Sequence, residues 1–208
     1  MHSVIPGILE KNWEEIDKKL QIIKSFSRSV HIDIIDGKFA DNLTFLDPAP
    51  FAKYKDDLFM EVHLMVENPL NYLQPFAAAG FKRFLGHIEK MQDISEFVAQ
   101  GQILGDVGIA IDNTTPIDAL KIPFDDLDEI LLMSIHAGKS GQEFLPEVLE
   151  KIKAIRQQSQ VSIEIDGGIN DQTIIEAKTA GANRFVATSY IFNSKDPMQS
   201  FERLTSLA

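Results

Sequence analysis

The chain has 208 residues, with 31 acidic and 20 basic side chains and a formal net charge of −11 at pH 7. Such an acidic chain lacks the basic surface that binds nucleic acid or an anionic membrane. It contains no cysteine, which excludes disulfides, thiolate metal sites and a cysteine nucleophile. The sequence contains no apolar stretch of about 18 residues, the length that a membrane-spanning helix needs. The segment MHSVIPGILEKNW shows no signal-peptide pattern. We expect a soluble, cytoplasmic protein with one domain over residues 1–208 and with neither a nucleic-acid nor a membrane partner.

Short apolar, β-branched runs alternate along the chain with longer amphipathic segments. The runs predict eight strands, at 4–9, 29–34, 59–65, 83–86, 107–111, 129–135, 162–165 and 184–187. Continuous apolar runs are typical of parallel strands that are covered on both faces. Apolar stripes predict helices at 12–26 and 146–158. A third helix is expected at 171–180, with Asn170 as its N-cap and Gly181 just after its end.

Eight strands in 208 residues leave 208/8, or about 26, residues for each strand and its connection, slightly fewer than the roughly 30 of an ordinary βαβ step. Eight such units predict a small, closed (β/α)8 TIM barrel. The alternative is a doubly wound open sheet, but its usual G-x-G-x-x-G motif is absent after the first strand. The acidic segment 125–129 precedes the sixth strand, so we expect a solvated loop without a catalytic role at the N-terminal face of the barrel.

Four polar residues fall on three of the predicted strands, near the barrel face where active sites form. His31 and Asp33 are two residues apart and therefore point to the same face of the second strand. His63 and Asp166 lie at the ends of the third and seventh strands. Each residue alone could be a buried, hydrogen-bonded side chain, but four such groups together need a common partner. Two imidazoles and two carboxylates suit one divalent ion, Zn, Fe, Co or Mn, better than Ca or Mg.

Two further histidines, His87 and His136, also fall at strand ends. Either could contact a substrate, and we interpret both as loop or pocket-wall residues.

Glycine and hydroxyl residues follow the last three strands, where barrels of this kind hold phosphate. They lie in the turns Gly138-Lys139-Ser140-Gly141, Gly167-Gly168 and Thr188-Ser189. A glycine pair alone often serves only turn geometry, but three such turns together indicate an anion site. The first turn is not a P-loop, because Met133 stands where that motif needs its upstream glycine.

Six segments resemble ribulose-phosphate 3-epimerases over essentially the whole chain. They are HIDIIDGKFADNLTF (31–45), EVHLMVENP (61–69), AGFKRFLGHIE (79–89), LLMSIHAGKSGQEF (131–144), IEIDGGIN (163–170) and AGANRFVATSYIF (180–192). The H-x-D-x-x-D-G-x-F…N-x-T-F string and the D-G-G string are specific in combination. The resemblance implies a (β/α)8 barrel that acts in the pentose phosphate pathway and associates as a homo-oligomer.

The resemblance also implies roles for individual residues. His31, Asp33, His63 and Asp166 would bind the metal, and Asp33 and Asp166 would be the acid/base pair. The implied substrate and phosphate contacts are Gly7, His63, Met65, Met133, Gly138, Lys139, Ser140, Gly141, Gly167, Gly168, Thr188 and Ser189. Two opposed carboxylates suit epimerisation, because one removes a proton from a carbon next to a ketone and the other returns a proton to the opposite face.

The differences from the family pattern concentrate where substrate would be recognised. Gly7 replaces a substrate-binding serine, and Thr188 replaces a glycine. The others are Ile35 for a pocket methionine, Leu46 for glycine, 111–114 for an Asn-Pro-Gly-type turn and 137–142 for Pro-Gly-Phe-Gly-Gly-Gln. We expect a metal-dependent enzyme that interconverts D-ribulose 5-phosphate and D-xylulose 5-phosphate. The alternatives are an epimerase of another ketose phosphate, such as a hexulose 6-phosphate, and an inactive sugar-phosphate-binding barrel.

Overall fold

A computed structural model describes residues 2–208 of the chain. Eight parallel strands pair in chain order, and the last strand pairs with the first to close a barrel. The strands are β1 (Ser3–Ile8), β2 (Ser29–Ile35), β3 (Phe59–Met65), β4 (Arg83–His87), β5 (Asp106–Ile111), β6 (Glu129–Met133), β7 (Ser162–Asp166) and β8 (Arg184–Ala187). The predicted (β/α)8 barrel is confirmed, and the open-sheet alternative is wrong.

The helices form an outer layer around the barrel. They are α1 (Trp13–Ile23), α2 (Leu73–Ala78), α3 (Ile94–Leu104), α4 (Val148–Arg156), α5 (Thr173–Ala180), α6 (Ser189–Phe192) and α7 (Pro197–Leu207). Within residues 2–208, the β2–β3 and β5–β6 connections contain only 3₁₀ turns, at Ala49–Tyr54, Ile117–Ala119 and Phe124–Asp126. No helix in the same residues has the length and apolar character needed to span a bilayer.

The ends of the predicted helices follow from local capping. Asn12 begins α1, because its side-chain oxygen accepts the backbone N–H of Glu15 at 3.0 Å. Asn170 accepts the N–H of Thr173 at 3.1 Å, as its predicted capping role requires, although α5 itself starts two residues later than expected. Gly181 ends α5 with φ of 119°, a left-handed conformation that favours glycine.

Alternate strand residues face either the outer helices or the barrel interior. The outward set joins the large core against the helices, with Ile32, Val62 and Ile163 as members. The smaller inner apolar cluster comprises Leu85, Ala110, Leu131, Met133 and Ile135. The rest of the interior is largely polar, so this barrel brings charged and titratable side chains into contact.

The lower part of the interior holds five charged residues, which we call the Arg–Glu layer: Glu61, Arg83, Glu129, Glu164 and Arg184. Arg83 Nη1 lies 2.9 Å from Glu129 Oε2, and Arg184 Nε lies 2.9 Å from Glu164 Oε2. Glu61 also pairs with Arg184. The expectation of a solvated loop at 125–129 is therefore wrong for Glu129, which is the first residue of β6 and is fully buried. It holds for the exposed aspartates before it.

Candidate active site and metal centre

The four predicted metal ligands come together inside the upper part of the barrel. The parallel register sets Asp33 on β2 beside His63 on β3, and Asp166 enters from the end of β7. His63 Nδ1 lies 3.0 Å from Asp33 Oδ1 and 3.2 Å from Asp166 Oδ2. His31 Nε2 lies 3.4 Å and 3.9 Å from the same two oxygens. We call these four buried residues the His–Asp cluster; each offers one ligand atom within 4.8 Å of the others.

The His–Asp cluster fits a divalent metal ion. His31 Nε2 is buried and has no hydrogen-bond partner, an arrangement that costs free energy unless another group satisfies the nitrogen. Two imidazole nitrogens and two carboxylate oxygens are donors that first-row divalent metals accept. The unpartnered nitrogen faces the two carboxylates, so one cation at that point would satisfy all four donors.

The electrostatics of the cluster also favour a cation. Burial lowers the pKa of the His31 imidazole, but the nearby carboxylates of Asp33, Glu164 and Glu61 outweigh burial and raise that pKa well above its usual value. Burial raises the pKa of Asp33, but the adjacent imidazoles of His31 and His63 outweigh burial and lower it. The cluster therefore attracts positive charge, and a metal would bind in competition with protons.

A pocket that is open to solvent at its mouth lies above the His–Asp cluster. Asp33 and Asp166 lie in its wall, and Met65 and Met133 border it. The lining also includes all eight residues of the predicted phosphate turns: Gly138, Lys139, Ser140, Gly141, Gly167, Gly168, Thr188 and Ser189. The structure thus brings together in one pocket turns that are up to about 50 residues apart in the sequence.

Glycine is required at several positions of these turns. Gly138, Gly141, Gly167 and Gly168 all have positive φ, between 63° and 118°. A Cβ atom at Gly168 would also lie 2.8 Å from the backbone of Phe144. The geometry of the turns that line the pocket therefore depends on these glycines.

Two predicted substrate contacts lie away from the pocket wall. His63 is fully buried and reaches the His–Asp cluster through Nδ1. Gly7 is buried against β8: a Cβ atom there would overlap Thr188 Oγ1 and lie 2.9 Å from Val186 Cγ1. Neither residue is part of the pocket lining. The hydroxyl of Thr188 therefore occupies the space that a side chain at position 7 would need.

Comparison with known proteins identifies the family. The model of the ribulose-phosphate 3 epimerase family matches residues 3–192. The chain belongs to this family. The ribulose-phosphate 3-epimerase of Chlamydia trachomatis serovar D is 34% identical and covers 98% of this chain and 91% of that protein. The one from Bacillus subtilis is 31% identical over 98% of each chain. This family member is accordingly an isomerase of the epimerase class, as the sequence motifs predict.

Solved structures confirm the barrel fold alone, because the sequence identities are low. The crystal structure of KGPDC from Streptococcus mutans superposes with a TM-score of 0.75 at 10% identity, over 99% of this chain and 96% of that one. The 3-hexulose-6-phosphate synthase of Salmonella typhimurium gives 0.71 at 12% identity, over 100% and 98%.

Four residues that contact the ligand histidines of this epimerase-family chain, directly or through one neighbour, were not predicted as site residues. His31 Nδ1 lies 2.9 Å from Glu61 Oε1 and 3.2 Å from Glu164 Oε1. Both glutamates stand two residues before a predicted ligand in EVH and EID. Because alternate strand residues share a face, this spacing is a signal that could have identified them.

The other two are His87 and Glu89, which lie beyond His63. His87 is fully buried and hydrogen-bonded to His63, so its interpretation as a loop or pocket-wall residue is wrong. Burial lowers the pKa of His87 and keeps the imidazole neutral. Burial raises the pKa of Glu89, but the hydrogen bond with His87 outweighs it and lowers the pKa to about 2. His136 is exposed and lies outside the lining of the upper pocket.

Proposed function

We propose that the protein interconverts D-ribulose 5-phosphate and D-xylulose 5-phosphate by epimerisation at C3. One observation carries the proposal. Two buried carboxylates, Asp33 from β2 and Asp166 from β7, belong to the His–Asp cluster, which fits a divalent cation, and both lie in the wall of one pocket. Family membership and relatives named ribulose-phosphate 3-epimerase support it. No other ketose phosphate is favoured by a feature of the pocket.

Asp33 and Asp166 act as the acid/base pair. In one direction the first carboxylate takes the proton from C3, which leaves an enediolate, and the second returns a proton to the opposite face. Their roles exchange in the reverse direction. His31, Asp33, His63 and Asp166 would hold a divalent ion, which would supply positive charge at the developing oxyanions.

The phosphate group binds at the other side of the pocket. Backbone N–H groups of the turns 138–141, 167–168 and 188–189 suit an anion, and Lys139 adds one positive charge. Met65 and Met133 border the sugar between the phosphate and the His–Asp cluster. Gly7 and His63 also remain predicted substrate contacts. Gly7 would act through the Thr188 hydroxyl that it accommodates.

The proposal also covers the metal, assembly and location. We propose Zn, Fe, Co or Mn as the ion, since the donor set suits each of them. The protein is proposed to act as a homo-oligomer, as the family resemblance implies. We also propose that it is cytoplasmic and that residues 1–208 form one domain, as its composition indicates.

A deuterium-exchange experiment tests this function. Metal-loaded protein is incubated with D-ribulose 5-phosphate in D₂O, and NMR follows both deuterium entry at C3 and formation of xylulose 5-phosphate. Exchange with product formation supports the proposal. Exchange only with a hexulose 6-phosphate would indicate a different substrate, and binding of ketose phosphates without exchange would indicate an inactive barrel. The Asp118→Asn variant is the control: it changes an exposed aspartate, and its rates of exchange and product formation should equal those of the wild type.

A further inference from the structure

A line of three hydrogen-bonded side chains runs outward from the His–Asp cluster. His63 Nε2 lies 2.8 Å from His87 Nε2, and His87 Nδ1 lies 2.9 Å from Glu89 Oε2. Both imidazoles are fully buried, and their rings stack at a centroid distance of 4.9 Å. Glu89 is itself held in place, because its Oε1 accepts the backbone N–H of Asp112 at 2.8 Å. We call this arrangement the Glu89–His87–His63 line.

The hydrogen positions along this line follow from the chemistry of its ends. A carboxylate only accepts hydrogen bonds, so His87 must donate to Glu89 through Nδ1–H. A neutral His87 then has its lone pair on Nε2, and this nitrogen accepts the Nε2–H of His63. A neutral His63 is left with its lone pair on Nδ1. That nitrogen is the atom 3.0 Å from Asp33 Oδ1 and 3.2 Å from Asp166 Oδ2, inside the His–Asp cluster.

The other ligand histidine is held in the opposite way. His31 contacts Glu61 and Glu164 through Nδ1 and faces the cluster with Nε2. His63 is paired in register with Asp33, one step above the Arg–Glu layer, so the glutamates of that layer do not orient it. The side chains that contact His63 from that side are His87, the last residue of β4, and beyond it Glu89, in the 3₁₀ turn that follows.

We propose that His87 and Glu89 are positioning residues that hold His63 in the Nε2–H tautomer, with its Nδ1 lone pair directed at the metal. Partners that orient a ligand histidine typically change metal affinity about 10- to 100-fold when removed. The inference rests on the metal site of the proposed function, but not on the identity of the sugar phosphate.

Glu89→Gln tests the tautomer directly. The side-chain oxygen of the glutamine keeps the N–H of Asp112 as its donor, so its NH₂ group falls against His87 Nδ1. His87 must then accept at Nδ1 and donate from Nε2, which moves the proton of His63 to Nδ1, the nitrogen inside the cluster. Long-range ¹H–¹⁵N NMR of metal-free, histidine-labelled protein should show a proton on His63 Nε2 in the wild type and none on that nitrogen in the variant. A proton that stays on His63 Nε2 in the variant would overturn the inference.

Metal affinity provides the second readout. Titration of metal-free protein with Co²⁺, followed by absorbance, should give about 10- to 100-fold weaker binding for Glu89→Gln and for His87→Phe. His87→Phe keeps an aromatic ring against Phe39, whose ring centroid lies 4.4 Å from that of His87, but it removes the acceptor for His63. His136→Gln is the matched control and should bind Co²⁺ as the wild type does. Thermal unfolding verifies that each variant is folded.

The outcomes separate this inference from the proposed function. Wild-type Co²⁺ affinity in both line variants would refute the positioning role, even if the wild type epimerises D-ribulose 5-phosphate. Weakened binding and a reversed tautomer would support it, even if no ketose phosphate exchanges deuterium. Activity of Glu89→Gln should recover at saturating metal, because the acid/base carboxylates are untouched.

Discussion

Two polar layers lie one above the other in this barrel, and they satisfy buried charge in different ways. The Arg–Glu layer sets three carboxylates against two guanidiniums. Burial, followed by the charge of Glu164, raises the pKa of Glu129 well above its usual range, so protonated Glu129 leaves two carboxylates for two arginines. In the described part of the chain, the His–Asp cluster has no lysine or arginine within salt-bridge distance.

The comparison distinguishes a structural polar cluster from a functional one. A buried charge is tolerated when a partner of opposite charge is built into the chain, as Arg83 and Arg184 are here. The His–Asp cluster must obtain its positive charge from outside, and it lies beneath a pocket. We therefore expect substitutions in the lower layer to change stability and those in the upper cluster to change catalysis.

The largest expected effect is the loss of activity in Asp166→Asn. General acid/base groups contribute about 10²- to 10⁴-fold to the reaction rate. The variant would also lack one of the two carboxylate ligands of the metal. Turnover of D-ribulose 5-phosphate should fall by at least that range, while the urea midpoint of the metal-free protein should not decrease, because one buried negative charge is removed. Substantial residual turnover, with Asp118→Asn at the wild-type rate, would contradict the acid/base role of Asp166.

Arg184→Met should show the opposite pattern and destabilise the fold. It leaves Glu61 and Glu164 buried beside a neutral side chain, and such breaks cost about 3–5 kcal/mol. Urea unfolding measures the loss. Arg203→Met is the matched control, since Arg203 and its partner Asp171 are both about half exposed, and it should cost no more than about 1 kcal/mol. Equal effects of the two variants would refute the contrast between the layers.

The contact of Gly7 with Thr188 predicts a paired effect at the edge of the pocket. Gly7→Ser should cost about 1–3 kcal/mol through overpacking, because its Cβ overlaps Thr188 Oγ1. Adding Thr188→Gly to the same chain should recover most of that loss. A double-mutant cycle in urea measures the coupling, and additive effects of the two substitutions would show that the side chains do not compete for this space.

The smallest effect concerns the pH dependence of stability through Glu129. The folded state holds a proton on Glu129 that the unfolded chain releases above a pKa of about 4.3. The wild type therefore loses stability as pH rises from that value towards the raised folded pKa, with a slope of at most about 1.4 kcal/mol per pH unit. Glu129→Gln removes this proton. The stability of the variant relative to the wild type should increase as pH rises from about 4 to about 5, by at most about 1.4 kcal/mol, and a constant difference over that range would contradict the prediction.

Strand positions could be predicted closely because each strand follows its own local pattern, and the differences have identifiable causes. The sixth strand is predicted to continue to 135 but ends at Met133. Ser134 instead donates its hydroxyl to the carbonyls of Asp166 and Gly167, at 3.0 Å and 2.6 Å. This contact with the end of β7 joins two loops at the pocket, and no feature near residue 134 in the sequence predicts it.

Local patterns in the sequence predict the alternation of strands and helices, the four members of the His–Asp cluster and the three glycine or hydroxyl turns, because residue type and strand period are local properties. The pairing of buried groups, in contrast, is set by the folded barrel. Arg184 meets Glu61 from 123 residues away, and His87 meets His63 through a particular ring nitrogen. Such pairings depend on barrel closure and strand register, which bring distant side chains within a few ångströms of each other and leave no trace in the local pattern.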